Sequence, residues 1–399
     1  MGVLRWRSHL DAQIATTSTQ PLSKLDLEIL IALRLALYQF LRLDRIPQRA
    51  ALHESVELVK RARKLSAAPF VNAVLRKLSA APRKDDEVKT TSPEALAHAL
   101  AHPPWLVERW AREYGLPATR QICQHDQSIP TTAIRLRAPH IADQLNQEGI
   151  SLAPGGLLAS ARRVKAGDIT RTQAFRSGQI VIQDEASQLV AALVGEGSNI
   201  LDCCAAPGGK TLAIADRNTA ATITAVDLHP HRARLLQKLL RPHASQSAVR
   251  IQIVTGDAQQ LPMTAQFDRV LADVPCSGTG TLARNPEIKW RLTVGDLAEL
   301  PQRQLAILRS ALAQVAPGGR LVYSTCSLEK EENENIIEQA VSENDSFRLL
   351  DCQSELDRLK TTGELTWPEP TTLTRGPYLR TIPGIHPCDG FFAAILERV

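Results

Sequence analysis

The pattern of apolar and polar positions divides the chain into a helical first part and a later part in which strands and helices alternate. Residues 22–78 are rich in helix formers, and the segment 25–41 is mostly apolar and contains neither Gly nor Pro. Further helices are predicted over 54–64 and 70–77, with Lys and Arg on their polar faces. We therefore expect an all-α module over residues 1–80.

The middle of the chain is predicted to contain a small α+β domain. Polar residues over 81–95 indicate a linker. A proline-started helix is predicted over 102–110, and residues 131–137 alternate as a strand does. Residues 178–188 predict a strand that runs into a helix, so we expect this domain to occupy residues 96–190.

From residue 198 onward, short apolar runs alternate with helical segments, which is typical of a doubly wound parallel sheet. Strands are predicted over the segments 199–204, 222–227, 251–257, 267–272 and 319–327. Residues 351–376 are interpreted as a loop. The predicted fold class is α/β, with a mostly parallel Rossmann-like sheet over 191–399 that follows the small α+β domain and the all-α module.

The composition restricts the classes of protein that fit. With 399 residues, of which 44% are hydrophobic, the chain is long enough for two or three domains with real cores. No apolar run approaches the roughly eighteen residues of a membrane span, and no secretory pattern opens the sequence. Seven cysteines without CxxC spacing argue against a disulfide framework or a zinc site and favour a reducing cytoplasm. We therefore expect neither a metal ion nor a membrane as a partner.

Positive charge is concentrated in the first module. Residues 1–84 contain 15 Lys and Arg against 6 Asp and Glu, whereas the remaining 315 residues carry a net charge of −4. A basic module on a nearly neutral body suggests a phosphate-rich partner. An ordinary solvated helical face is the alternative that charge alone leaves open.

Two cysteines and one aspartate follow predicted strands. Asp273 and Cys276 come directly after the strand 267–272, and Cys326 lies at the C-terminal end of the strand 319–327. Ligands bind at the C-terminal ends of the strands in an open α/β sheet. Either thiol alone is more simply explained as a small buried hydrophobic side chain. Both thiols beside a carboxylate and a glycine turn predict a reaction centre.

The glycine turn and a series of acids predict a cofactor that contains a ribose. Residues 204–210 join the first strand of the sheet to a helix, and two adjacent glycines there let a ligand approach the helix N-terminus. Asp227 ends the second strand, 25 residues after Asp202, close to the ~20-residue offset of a ribose-binding acid. Asp257 ends the third strand.

The glycine turn over residues 204–210 lacks the sequence patterns of phosphate-binding loops, and this restricts the choice of cofactor. It matches neither the dinucleotide-binding glycine pattern nor the P-loop pattern, which disfavours a phosphate group. S-adenosylmethionine fits, with Asp227 at the ribose, Asp257 near the adenine and the glycines admitting the charged methionine end. The candidate cofactor-binding residues are Cys204, Ala205, Ala206, Pro207, Gly208, Gly209, Lys210, Asp227, Asp257 and Asp273.

The motifs resemble, in order and spacing, those of the RNA 5-cytosine methyltransferases of the NOL1/NOP2/Sun family. They are Cys204 to Lys210, Asp273 to Gly280, Arg284 to Trp290, Ser324 to Ser327 and Asp389 to Phe392. The first 78 residues are similar to the NusB-like RNA-binding domain of the RsmB/Sun-type branch, chiefly over 38–56 and 72–76. In that branch several helices precede the segment equivalent to residues 2–7, so we expect a NusB-like module that is incomplete at its N-terminus.

The resemblance implies a 16S rRNA (cytosine-C5)-methyltransferase that uses S-adenosylmethionine. In such a reaction Cys326 forms a covalent adduct with carbon 6 of the cytosine, Cys276 helps remove the proton from carbon 5, and Asp273 contacts the ring near nitrogen 3. The residues themselves indicate a nucleophile and a separate base without showing which cysteine is which. Lys210 and Lys289 are candidate sources of positive charge near the nucleophile.

The implied partner is small-subunit ribosomal RNA, free or in an early assembly intermediate, in the cytoplasm and without an obligate protein partner. Three other functions stay open. A tRNA cytosine-C5 methyltransferase is opposed only by the NusB-like segment. A non-catalytic RNA-binding assembly factor is opposed by the complete set of reactive residues. A nicotinamide-dependent oxidoreductase is opposed by the missing glycine pattern and the paired thiols.

Overall fold

The computed structural model describes residues 1–80, 91–244, 248–261 and 266–399, so most of the predicted linker lies outside the described residues. The chain forms two compact units. The first contains Met1–Ile129 and Leu282–Arg291, and the second contains Pro130–Thr281 and Leu292–Val399. Residues 96–129 thus belong to the first unit and 130–190 to the second. The division into a NusB-like module, a small α+β domain and a catalytic domain stays a prediction.

The first unit is built of helices. They are α1 (Gly2–Arg5), α2 (Arg7–Thr17), α3 (Leu27–Arg42), α4 (Gln48–Arg61), α5 (Ala68–Ala80), α6 (Pro93–Ala99), α7 (Pro104–Tyr114) and α8 (Leu116–Gln127). The predicted helix over 25–41 is confirmed as α3. Its Leu33, Leu37 and Phe40 are almost completely buried because their spacing places them on one face of the helix.

The second unit contains two sheets and the helices around them. Its strands are β1 (Ala133–Leu136), β2 (Ser151–Pro154), β3 (Ala161–Ala166), β4 (Ile180–Ile182), β5 (Asn199–Asp202), β6 (Thr222–Asp227), β7 (Arg250–Thr255), β8 (Phe267–Asp273), β9 (Val315–Thr325), β10 (Phe347–Leu350), β11 (Thr374–Arg375), β12 (Tyr378–Thr381) and β13 (Phe391–Arg398). β1 to β4 form a small antiparallel sheet in the order β2-β3-β1-β4.

The remaining helices follow the same chain order. They are α9 (Ile141–Gln147), α10 (Gln173–Arg176), α11 (Glu185–Leu193), α12 (Gly209–Arg217), α13 (Pro230–Ala244), α14 (Ile288–Arg291, in the first unit), α15 (Asp296–Leu312), α16 (Glu334–Ser342) and α17 (Cys352–Thr361). Across the described part of the chain, no helix combines the length and apolar character that crossing a membrane requires.

The large sheet has the order β11-β12-β13-β9-β8-β5-β6-β7, with β10 paired to β13. The strands from β5 to β9 are parallel to one another, which confirms the predicted doubly wound α/β fold, whereas β13 runs antiparallel to β9. The chain moves from β5 to β6 and β7 on one side, then returns to β8 and β9 on the other. A ligand site is expected where this direction reverses, outside the C-terminal ends of β5 and β8.

Both faces of the large sheet are buried, because successive side chains of a strand point to opposite faces. Ile200 packs in a core with Leu189 of α11 and Leu356 of α17. The next residue, Leu201, packs in the other core with Leu308 of α15. The parallel strands are therefore fixed between two helical layers, and only their ends are free to form a site.

The interpretation of residues 351–376 as a loop is wrong for much of the segment. Residues 352–361 form α17, which begins where the Asp351 side chain accepts a hydrogen bond from the Gln353 N–H at 2.9 Å. Cys352, Leu356 and Leu359 are 0% exposed. Their spacing places them on one face of the helix, which packs against the sheet.

Gly280, in the loop after β8, contacts both the loop after β9 and the segment that leads into β13. The Gly280 N–H donates to the Cys326 carbonyl oxygen at 2.9 Å, and the Gly390 N–H donates to the Gly280 carbonyl oxygen at 2.8 Å. A Cβ atom on Gly280 would lie 2.1 Å from the Gly390 carbonyl oxygen and 2.9 Å from that of Cys326. These are backbone atoms, so a side chain could fit only if the loop after β8 moved away from both neighbouring segments.

We therefore expect Gly280→Ala to lower the free energy of unfolding by about 2 kcal/mol, because the added methyl group overpacks two backbone oxygens. Gly295→Ala is the matched control, since its Cβ would meet only the Thr293 hydroxyl at an ordinary 3.6 Å. Its effect should stay within about 0.5 kcal/mol. Urea denaturation measures both, and equal stability of the two variants would contradict the packing argument.

Candidate active site

The three predicted catalytic residues come together at the ends of two adjacent parallel strands. β8 and β9 pair so that Asp273 lies opposite Ser324. The loop that follows each strand carries one of the thiols, and the sulfur atoms of Cys276 and Cys326 are 3.2 Å apart. Both side chains are half-buried, so the pair remains partly open to solvent.

Asp273 is held by two donors. Its Oδ1 accepts a hydrogen bond from the Ser324 hydroxyl at 2.7 Å, and its Oδ2 accepts one from the Lys210 ammonium at 2.7 Å. Burial lowers the pKa of Lys210, but the Asp273 carboxylate outweighs it, so the net shift of this pKa is upward. Lys210 is therefore a cation at neutral pH, and the carboxylate has a fixed orientation beside the thiols.

The environment of Cys276 favours its protonated form. The hydrogen bond with Cys326 and the removal of the side chain from water together raise the pKa of the Cys276 thiol well above its ordinary value. The buried Glu332 carboxylate adds to this shift. Cys276 is thus a thiol at neutral pH, and it becomes a strong base once it has lost its proton.

A buried carboxylate also joins the two thiol-bearing loops. Glu332 is 0% exposed, and its Oε1 accepts a hydrogen bond from the Ser277 N–H at 2.8 Å. Its Oε2 accepts hydrogen bonds from the hydroxyl groups of Ser277 and Ser327. The residue after each cysteine is therefore bonded to the same side chain.

The predicted cofactor turn, residues 204–210, is fixed between β5 and α12. The Ala205 N–H donates to the Val226 carbonyl oxygen at 2.8 Å. Gly208 has a positive φ of 112°, and a Cβ atom there would lie 2.6 Å from Cδ1 of Leu236. Glycine is required at this position because both the backbone conformation and the space exclude a side chain.

Besides Asp273, three acids lie at or just after the ends of parallel strands: Asp202, Asp227 and Asp257. Their hydrogen-bond donors differ. Asp227 accepts hydrogen bonds from the N–H groups of Ala206 at 3.3 Å and His229 at 3.0 Å, so it also fastens the turn. Asp257 is half-buried and accepts a hydrogen bond from the Gln259 N–H at 2.9 Å. The Gly256 N–H donates to the Asp227 carbonyl oxygen at 3.1 Å, which places the second and third strand ends side by side.

Asp202 is the most buried of the three acids. Its Oδ2 accepts a hydrogen bond from the Thr211 hydroxyl at 2.7 Å, while its Oδ1 is buried without a hydrogen-bond partner. Burial, with a smaller contribution from the Asp273 charge, raises the pKa of Asp202 to about 7 against the opposing effect of the Thr211 hydrogen bond. The surroundings of Asp202 Oδ1 therefore favour a positive charge or a hydrogen-bond donor next to this oxygen.

These strand ends fit S-adenosylmethionine better than a phosphate-containing cofactor. Carboxylates end β5, β6 and β8, and a fourth follows β7. Such a rim repels a phosphate and attracts the sulfonium and ammonium groups of S-adenosylmethionine. The acids also supply acceptors for the hydroxyl groups of a ribose.

Lys289, the second lysine singled out in the sequence, belongs to the first unit. Its ammonium donates to the Arg5 carbonyl oxygen at 2.9 Å, and burial lowers its pKa to about 8. Trp290 donates from its indole N–H to the Leu4 carbonyl oxygen at 2.6 Å. The motif from Arg284 to Trp290 therefore binds the N-terminal residues, a role that its sequence did not indicate.

Sequence reasoning named Ser324 only as the start of a motif, without a role, and missed Glu332. Ser324 could have been found from strand register, because it pairs directly with Asp273. Glu332 gave no such signal, since it lies in a run of charged residues typical of a solvated surface. Among the residues that the structure describes, no group of three or more His, Cys, Asp and Glu side chains is arranged to hold a metal ion.

Comparison with known proteins identifies related sequences over nearly the whole chain. Residues 190–397 match the family model described as 16S rRNA methyltransferase RsmB/F, and residues 1–80 match that of the NusB family. The chain is 34% identical over 409 residues to the "Probable ribosomal RNA small subunit methyltransferase B" of Bacillus subtilis, covering 100% of this chain and 88% of that protein. It is 31% identical over 413 residues to the protein of the same description from Synechocystis, covering 100% and 89%.

A solved structure supports the fold. The crystal structure of the protein PH0851 superposes with a TM-score of 0.83 and 24% sequence identity, covering 99% of this chain and 88% of that chain. The two family matches confirm the predicted resemblance to RsmB/Sun-type methyltransferases with a NusB-like domain.

The buried carboxyl of Asp202 should make stability depend on pH. Its folded-state pKa of about 7 lies above the unfolded value of 3.8, so its contribution is present below pH 4 and is lost as the pH rises through about 7. At pH 8 the buried carboxylate costs up to about 4 kcal/mol. We expect Asp202→Asn, which cannot ionise, to gain stability relative to the wild type between pH 5 and pH 8.

Urea denaturation at the two pH values measures this difference. Subtracting the wild type from the variant removes the contributions of titrating groups that do not interact with residue 202. A difference in unfolding free energy that is the same at pH 5 and pH 8 would show that Asp202 is ionised at both.

Proposed function

Because the chain belongs to the RsmB/F family of 16S rRNA methyltransferases, we propose that it methylates carbon 5 of a cytosine in small-subunit ribosomal RNA. The methyl group comes from S-adenosylmethionine, and the reaction passes through a covalent adduct between the enzyme and the base. The observation that carries this proposal is the pairing of two thiols, 3.2 Å apart, beside a carboxylate that is fixed by a lysine and a serine.

Carbon 5 of cytosine is too weakly nucleophilic to be methylated unaided. In the proposed reaction the Cys326 thiolate adds to carbon 6, forming a sulfur–carbon bond. The electrons of the double bond between carbons 5 and 6 then make carbon 5 resemble an enamine carbon. Covalent catalysis thus divides one difficult step into two easier ones.

Asp273 is proposed to contact nitrogen 3 and the exocyclic amine of the ring. Negative charge develops on this side of the base when the thiolate adds, and a proton that Asp273 takes up from solvent and donates to nitrogen 3 stabilises the adduct. Lys210 and Ser324 hold both oxygens of this carboxylate and thereby fix its direction. Fixing the group beforehand avoids reorganisation during the reaction.

Cys276 is proposed to remove the proton from carbon 5 after methylation. The electrons of that carbon–hydrogen bond restore the double bond, the bond between sulfur and carbon 6 breaks, and Cys326 leaves as a thiolate. Because the raised pKa of Cys276 keeps it protonated at rest, its own proton must first pass to water. Its high basicity then favours proton removal.

The proposed cofactor residues are the turn 204–210 together with Asp227, Asp257 and Asp273. S-adenosylmethionine, when bound, supplies an electrophilic methyl group. Asp227 and Asp257 would bind the ribose and adenine ends, and the two glycines of the turn would admit the methionine end. Lys210 would act indirectly, through its ion pair with Asp273.

The substrate part of the proposal is supported by the first unit. Residues 1–80 match the NusB family, and residues 1–84 carry a surplus of nine positive charges. Such charge attracts a phosphate backbone. A base in single-stranded or loop RNA is the expected target, because it can leave its stack more easily. A cytoplasmic location is part of the proposal, since all seven cysteines are free.

The two cysteines should respond differently to replacement by alanine. We expect Cys326→Ala to lower the methylation rate at least about 1,000-fold, because the nucleophile is lost. Cys276→Ala should still form the adduct but release it slowly, so protein–RNA complexes that survive denaturation should accumulate. Incubation with labelled S-adenosylmethionine and small-subunit RNA, followed by denaturing electrophoresis, measures both effects.

Cys352→Ala is the control, because this buried thiol lies on α17 and donates to the Ala393 carbonyl oxygen. It should keep wild-type turnover. Methylation by Cys326→Ala would mean that the roles of the two thiols must be exchanged. Tight S-adenosylmethionine binding by the wild type without transfer to any RNA would favour a non-catalytic RNA-binding factor.

The RNA partner is tested by comparing small-subunit RNA with tRNA over a range of salt concentrations. We expect methylation of the ribosomal RNA and a binding constant that falls steeply with salt, since Lys and Arg contacts release counterions from the RNA. Charge-removing substitutions at Arg49 and Lys60, both on α4, should flatten this dependence without changing S-adenosylmethionine affinity. Preference for tRNA, or a flat salt profile, would contradict the substrate assignment.

A further inference from the structure

Each oxygen of the buried Glu332 carboxylate accepts two hydrogen bonds. Oε1 accepts hydrogen bonds from the Ser277 N–H and the Gln304 amide, each at 2.8 Å. Oε2 accepts one from the Ser277 hydroxyl at 2.5 Å and one from the Ser327 hydroxyl. None of the four donors is a cation, so hydrogen bonds alone offset the loss of hydration.

Three of these four donors belong to the residues that directly follow the thiols. Ser277 follows Cys276 and Ser327 follows Cys326, and the two hydroxyl oxygens are 3.0 Å apart. The sulfur atoms are 3.2 Å apart. The paired serines thus repeat the paired cysteines one residue further along each loop, and Glu332 is bonded to both serines.

Glu332 is itself fixed by the layers on either side of it. The Tyr323 hydroxyl on β9 donates to the Glu332 carbonyl oxygen at 2.7 Å. Gln304 on α15, which bonds the carboxylate, also donates to the Pro275 carbonyl oxygen at 2.9 Å. The carboxylate therefore has a fixed position from which it holds both loops.

We propose that Glu332 is a positioning residue that sets the separation of the two thiols. This proposal rests on the function proposed above. There, one thiol adds to carbon 6 and the other acts at the adjacent carbon 5, so both sulfur atoms must be within reach of one ring. Removing the carboxylate leaves the Ser277 N–H and two hydroxyl groups without their acceptor. The loops then move, although no side chain that touches the base has changed.

Kinetics distinguish positioning from a purely structural role. Glu332→Ala is expected to lower kcat about 100-fold, since a shift of about 1 Å in reacting groups costs that much. The KM values for RNA and S-adenosylmethionine should change less than twofold. Glu332→Gln should recover most of the activity, because the amide has the same shape and serine hydroxyls accept hydrogen bonds as well as donate them.

Glu334→Ala is the matched control. Glu334 is also largely buried and lies two residues away, but its carboxylate bonds to Arg380 at 2.8 Å and to neither serine side chain. Arg380 also donates to the Ser327 carbonyl oxygen at 3.1 Å, so this control disturbs the support of the same loop without removing the acceptor of its hydroxyl group. Loss of Glu334 should lower the melting temperature about as much as Glu332→Ala does, and it should leave kcat within about threefold of the wild type. The comparison separates loss of stability from loss of thiol geometry.

A second measurement is independent of activity. Phenylarsine oxide bridges two neighbouring thiols, forming two arsenic–sulfur bonds and releasing water. We expect the wild-type chain to bind one equivalent at this pair, and Cys276→Ala gives the background from the other cysteines. Glu332→Ala should bind the reagent at least tenfold more weakly, whereas Glu332→Gln and Glu334→Ala should bind it as the wild type does.

Each outcome bears on one proposal. If Glu332→Ala matches Glu334→Ala in both kcat and arsenical binding, the positioning role is refuted. If arsenical binding depends on Glu332 but the wild type methylates no cytosine, the positioning role stands and the proposed methyltransferase function fails. If kcat falls in Glu332→Ala without recovery in Glu332→Gln, and arsenical binding is unchanged, the carboxylate acts through its charge and not through position.

Discussion

The site depends on close contact between the loops that follow β8 and β9. Parallel strands bring the starts of these loops to the same edge of the sheet, and residue 280 can approach the Cys326 carbonyl oxygen because it has no side chain. The Gly280 N–H then donates to the Cys326 carbonyl oxygen, and the two sulfur atoms lie 3.2 Å apart. A methyl group on residue 280 would change the positions of the two thiols without replacing any reactive side chain.

The carboxyl groups of the site are fixed by hydrogen bonds from separate donors. Four carboxyl groups lie at the ends of the parallel strands, where they would repel one another if they shared one environment. Each has its own donors instead: a lysine and a serine for Asp273, backbone N–H groups for Asp227 and Asp257, and a threonine for Asp202. The rim keeps an acidic character suited to a cationic cofactor, and individual side chains remain fixed.

The sequence was most informative where local pattern and tertiary environment agree. Buried parallel strands are short apolar runs that end in polar residues, so their order and the residues at their ends could be predicted. Helix α17 was missed because its three buried positions are separated by charged side chains in only ten residues. Glu332 was missed because a charged run predicts a solvated surface, and only the fold brings two serines and a glutamine to it.

The placement of residues 282–291 has a consequence for how such a protein can evolve. The chain leaves the second unit after Thr281, contributes ten residues to the first, helical unit and returns to the second unit at Leu292. The first unit consists of two separate segments of the chain, so a single insertion or deletion in the gene could not add or remove the whole unit. Loss of the N-terminal residues would remove the Arg5 carbonyl oxygen, to which the buried Lys289 ammonium donates a hydrogen bond. The two units are therefore inherited together, because residues 282–291 of the first unit are encoded within the sequence of the second.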